Sequence, residues 1–126
     1  MIQEIGEDLA NQVKVVSLKL YSMAAEHAAK KGLIIADTKF EFGLDADDNL
    51  VLMDEILTPD SSRFWNKQKY QIGTSPESYD KQFIRDYLET LDWDKTSPGP
   101  NVPKDIIDAT ANKYHEAYQL ITGKFL

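Results

Sequence analysis

Cysteine is absent from this chain of 126 residues, which removes disulfides, thiolate metal sites and cysteine nucleophiles together. Long apolar runs are absent too. The longest, at residues 33–36 and 50–53, fall far short of the roughly 20 residues a membrane-spanning helix needs, so no membrane association is expected. Glu4, Glu7 and Asp8 stand where a secretory signal would be cationic, and the expected location is therefore the cytoplasm. Basic charge is in deficit, with 14 Lys and Arg against 21 Asp and Glu for a formal net charge of −7. That balance argues against a nucleic-acid partner, whose phosphates require a basic face. His27 and His115 sit in helical patterns with no second imidazole or thiol nearby, and both read as structural. A calcium loop begun by Asp45, Asp47 and Asn49 fails, because Leu50 replaces the obligatory Gly and Ile56 the closing Glu. No Gly-rich phosphate loop exists, so a nucleotide site built from these residues alone is half a site.

What is present is ordinary globular material, 42% apolar and 28% charged, in a length that suits one domain over residues 1–126. The first thirty residues carry apolar side chains at steps of three or four (Ile2, Ile5, Leu9, Val13, Val16, Leu20, Ala24, Ala28), which predicts one long helix stopped by Gly32. From Leu33 the period falls to two. Alternation through Phe42, a polar turn at 43–49 and a second run at 50–56 predict a β-hairpin. Residues 57–77, with Pro59 and Pro76, read as a long loop. A second helix is expected from Ser75 or Ser78, with Tyr79, Phe83, Tyr87, Leu88 and Leu91 as its apolar side. A third is expected from Pro103 to Gly123, with Ile107, Thr110, Tyr114, Ala117 and Ile121 facing inward. The expected class is α+β: a long N-terminal helix, a hairpin, a functional loop and two C-terminal helices.

Alternation places Asp37, Lys39 and Glu41 on one strand face, about 6.6 Å apart in sequence order. On a strand standing alone such a row is a solvated face. Two neighbours argue otherwise. Asp54 breaks the apolar pattern of the returning strand, and a turn centred near residues 46 and 47 would set it opposite Lys39 or Glu41. That register would make a magnesium–polyphosphate site, because Mg²⁺ takes one or two carboxylates and leaves its other positions to water and phosphate. The loop Asp60-Ser61-Ser62-Arg63 then supplies hydroxyls beside a guanidinium, a set that suits phosphate.

These residues carry a resemblance. The blocks GLIIADTKFEFG (32–43), DEILTPDSSRFW (54–65), SYDKQFIRDYL (78–88) and KYHEAYQLITG (113–123), with IGEDL (5–9) before them, resemble the SAICAR synthetases in order and spacing. The resemblance implies an ATP-dependent ligase of purine biosynthesis. Such a ligase joins L-aspartate to carboxyaminoimidazole ribonucleotide through an acyl phosphate, with ATP and Mg²⁺. It implies Glu41 and Asp54 at the ATP-bound metal, and Asp37 and Lys39 at the reaction centre. Arg63, Ser61, Ser62 and Asp60 would lie along the ribonucleotide, with Lys81 and Arg85 as further substrate or supporting residues. It also implies the C-terminal lobe of a fold resembling ATP-grasp enzymes and kinases. Nothing here matches the family's β-rich, lysine-containing lobe over ATP. The expectation is a fragment, a separate domain or half of a split enzyme, with that lobe as a partner and with little activity alone. The rival readings are a kinase-like phosphotransferase lobe and a non-catalytic interaction module.

Overall fold

The computed structural model describes residues 2–74, 76–79 and 81–125. The N-terminal helix is split. Gly6 adopts φ 83° and separates α1 (Ile2–Ile5) from α2 (Glu7–Lys30), a backbone state that costs glycine little because it lacks Cβ. Only part of the expected stripe reaches the core. Of its residues Ala28 is buried and Ala24 packs inward, joined by Tyr21 from outside the stripe, whereas Ile2 and Ile5 are exposed. The Tyr21 hydroxyl donates to the Ile35 carbonyl at 2.7 Å. This bond ties α2 to the first strand.

The β-structure departs from the single hairpin that alternation suggests. Strand β1 (Leu33–Thr38) pairs antiparallel with β4 (Ser62–Asn66), and β2 (Glu41–Leu44) pairs antiparallel with β3 (Leu50–Met53). They form two separate two-stranded sheets. The chain leaves the first sheet at Lys39, whose N–H donates to the Ser61 carbonyl at 3.2 Å, and the β1–β4 register slips between Ile35 and Asp37. An irregularity of that kind turns a strand and re-aims its side chains. The expected turn forms over residues 45–49, with Gly43 and Leu44 taken into β2, and the Asp45 carboxylate accepts from the N–H groups of Asp47 and Asn49.

Strand β4 corrects the reading of 57–77 as a loop. Its alternation buries Ser62 and Phe64 and leaves Arg63 exposed. Ser78 does not cap a helix but bridges to Trp65, and helix α3 runs Gln82–Glu89; Ser75 lies outside the described residues. Helix α4 (Lys104–Thr122) follows Pro103, which stands just before its first turn. Gly123 ends it at φ 73°, its N–H donating to the Gln119 carbonyl, a left-handed stop that favours glycine. Ile107, expected inward, is half exposed.

Ala28, Leu33, Ile35, Phe64, Tyr79 and Ala117 form the buried core. In it Ala28 of α2 and Ala117 of α4 meet Leu33 and Ile35 of β1 and Phe64 of β4 at the apolar ends of the strands. The polar ends, Asp37-Thr38 and Ser62-Arg63, emerge together on the far side. Among the described residues no helix is long and apolar enough to cross a membrane.

Candidate active site

The polar ends of β1 and β4, the bend after β3 and the start of α3 enclose a cleft of about 570 Å³. It is lined by Asp37, Lys39, Asp54, Glu55, Pro59, Asp60, Ser61, Ser62, Arg63, Lys81 and Arg85. Nine of the ten residues singled out from the sequence thus meet at one place. Glu41 is not in the lining.

Asp37 and Arg63 face each other because the β1–β4 register pairs them. Arg63 Nε donates to Asp37 Oδ1 at 2.9 Å and Nη2 to Oδ2 at 2.5 Å, the parallel two-bond geometry that a guanidinium favours. These bonds hold the Asp37 carboxyl below the usual carboxylate range, with burial opposing them. The pair is half exposed, so its contribution to stability is small, about 1 kcal/mol or less. Its effect is to fix the direction of the guanidinium.

Lys39 Nζ donates to Glu41 Oε1 at 2.6 Å. That bond, helped by the Asp54 and Glu55 carboxylates, raises the Lys39 ammonium above its ordinary value. Lys81 Nζ reaches Asp60 Oδ1 at 2.9 Å and lowers the Asp60 carboxyl, with a Glu55 hydrogen bond and the Arg85 charge adding to the effect. The hydroxyls are engaged in the fold. Ser62 Oγ lies 2.8 Å from Thr38 Oγ1 and is buried, while Ser61 Oγ accepts from the Thr58 N–H. They fasten the start of β4, on which Arg63 stands, to β1 and to the turn before it.

The expected pairing of Asp54 with Lys39 or Glu41 is not the one that forms. Met53 lies opposite Glu41, and Phe42 opposite Leu52. Continued in register, Asp54 would fall on the phenylalanine side. Instead Asp54 adopts φ 62°, leaves the strand and lines the cleft near Lys39. A left-handed non-glycine residue costs about 1–2 kcal/mol, so the chain sustains strain where this carboxylate turns in. Glu55 was missed as a site residue. It lines the cleft and accepts from Thr58 Oγ1 at 2.8 Å; the signal was the paired acid at 54–55, of which only the first was taken.

Among the described residues no three His, Cys, Asp or Glu side chains cluster to hold a metal by themselves. Magnesium does not need three. The Asp54 and Glu55 carboxylates at the cleft fit an ion that completes its shell with phosphate and water, whereas Glu41 is committed to Lys39.

The Asp37–Arg63 pair makes a pH prediction. A carboxyl with a lowered folded pKa adds stability above its unfolded value, about 3.9, and loses it as pH falls through the lower folded value. Asp37→Asn should therefore lower the melting temperature slightly at pH 7, and the difference should vanish on acidification below the carboxylate range. Melting curves of both proteins from pH 7 to 2.5 check this; a difference that persists at the acid end would assign the effect to packing.

Comparison with known proteins bears on the whole chain. The SAICAR synthetase family profile matches residues 1–100. The phosphoribosylaminoimidazole-succinocarboxamide synthase of Stenotrophomonas maltophilia (strain K279a) is 57% identical over 123 residues, covering 98% of this chain and 40% of that protein. The SAICAR synthase of Saccharomyces cerevisiae, solved in complex with SAICAR, superposes with a TM-score of 0.88 at 48% identity. That match covers 99% of this chain and 42% of the yeast chain. A type-2 SAICAR synthetase solved with ADP superposes with a TM-score of 0.70 at 28% identity, over 99% of this chain and 42% of that one. The chain thus spans about two-fifths of the length of the curated relatives it matches.

Proposed function

The chain belongs to the SAICAR synthetase family, and on that premise we propose that it supplies the C-terminal part of an ATP-dependent ligase of purine biosynthesis. The reaction joins L-aspartate to carboxyaminoimidazole ribonucleotide. A carboxylate oxygen of the ribonucleotide attacks the γ-phosphorus of ATP, and the bond to ADP breaks. The aspartate amine then attacks the acyl carbon, phosphate leaves and the nitrogen gives up a proton.

One observation supports this reading above the others: a single cleft collects fixed cations and carboxylates from β1, β4, the bend after β3 and α3. Arg63, oriented by Asp37, engages the ribonucleotide phosphate through the planar donor set that suits it. Lys39 stands between Glu41 and the Asp54–Glu55 pair and stabilises charge on the transferring phosphoryl group. Asp54 with Glu55 would hold Mg²⁺, which neutralises polyphosphate charge when bound. Lys81 and Arg85 hold Asp60 and the loop in place and present further positive charge to the anionic substrates.

The test uses a full-length chimaera in which this chain replaces the matching two-fifths of the Stenotrophomonas relative. ADP release that requires both the ribonucleotide and aspartate supports the ligase. ADP release onto a hydroxyl acceptor without aspartate would make the cleft a kinase-like phosphotransferase. The 126 residues alone are expected to release almost no ADP. Orientation and water exclusion contribute several kcal/mol to such barriers, and the cleft is open to solvent. Robust succinocarboxamide formation by the isolated chain would overturn that expectation.

A further inference from the structure

We infer that the apolar groove between α2 and the β2–β3 hairpin is the seat of the rest of the family's longer chain, and that docking there steadies the strands beside the cleft. The inference rests on the ligase reading only for the identity of the occupant. The groove is lined by Val15, Val16, Leu20, Phe42, Leu50 and Leu52. Its helical wall continues onto a bare face, where Val15 is 64% and Leu18 57% exposed. An amphipathic helix in a finished domain turns such residues to a core, and contiguous exposed apolar surface marks an interface.

The hairpin gives the second reason. Among the described residues it is a two-stranded sheet paired only within itself, and such a unit is marginal in water until a third element covers it. Its inner side chains, Phe42, Leu50 and Leu52, face the groove, while its open end carries Lys39, Glu41 and Asp54. Whatever fills the groove fixes the position of those three. The occupant is set by length. In relatives similar over 98% of this chain, about three-fifths of the length lies outside the match, and that mass has to meet this chain on a surface able to hold it. The groove and the adjoining helix face combine apolar character, extent and direct continuity with the cleft.

The experiment compares Val15→Glu in two settings: the isolated chain and the full-length chimaera. Glu is a good helix former, so an exposed position tolerates it. The isolated chain should keep its melting temperature within about 1 °C, while the chimaera, with a carboxylate forced into a buried contact, should lose about 5 °C or more. Equal shifts in the two proteins would overturn the proposal. So would an isolated chain that sediments as a dimer and becomes monomeric on Val15→Glu, which would give the groove to a second copy. Because the readout is melting and sedimentation, a chimaera without ligase activity leaves the inference testable. Turnover with an unshifted melting temperature would refute the docking surface alone.

Discussion

Asp54→Asn in the full-length enzyme is expected to lower turnover by about a hundredfold or more while leaving the fold intact. The loss follows from removing an anionic ligand where a metal offsets several kcal/mol of developing charge. Preservation of the fold follows from the backbone. Asp54 sits at φ 62°, and Asn adopts that left-handed conformation as readily as Asp does. Among the described residues none donates a hydrogen bond to the Asp54 carboxylate, so the amide leaves no broken network behind. Steady-state ADP release across a magnesium titration, with melting curves beside it, checks both halves. Turnover within threefold of the parent at saturating magnesium would remove Asp54 from the metal site.

Arg63→Lys should raise the dissociation constant for the ribonucleotide about 10- to 100-fold and leave that for ATP within twofold. An ammonium cannot reproduce two parallel N–H bonds, either toward a phosphate or toward Asp37. The variant therefore loses both the contact and the partner that aims it. Its stability should fall only slightly, since the Asp37–Arg63 pair is half exposed and such pairs contribute about 1 kcal/mol at most. Calorimetric titration with each ligand separates the effects. Equal weakening for both ligands would assign the Ser61-Ser62-Arg63 loop to nucleotide as much as to ribonucleotide.

The helices and the 43–49 turn were legible because their signals are local. Period, stop residues and turn formers act within a few positions, as at Gly32, Gly123 and Asp45. Strand β4 was not. Its five residues lie between two prolines among turn-forming side chains, and its partner β1 begins nearly thirty residues earlier, so only its brief burial of Ser62 and Phe64 marks it. The three-to-four spacing runs on across Gly6, and only its positive φ shows the break. The cleft was legible by residue type and much less by geometry. Asp37, Lys39, Asp54 and Arg63 line one cleft, but an alternation rule carried past Thr38 could not show that the chain changes sheets there. Nor could it show that Asp54 reaches the cleft by leaving its strand. Pairing register depends on both strands together, and a one-residue difference reverses the face.

The inventory of the cleft has a consequence for how ligands arrive. Asp37, Asp54, Glu55 and Asp60 meet Lys39, Arg63, Lys81 and Arg85, four acids against four bases, so the cleft is formally neutral. The whole of the −7 carried by the chain therefore lies on its remaining surface. A nucleotide or sugar phosphate diffusing in meets repulsion at long range and attraction only within the last few ångströms. The two act over different distances, and salt near 0.15 M screens beyond about 8 Å. Ionic strength thus quiets the repulsive far field before it touches the contacts in the cleft. On the proposed reading, salt in the surroundings helps the arrival of polyanions at this cleft.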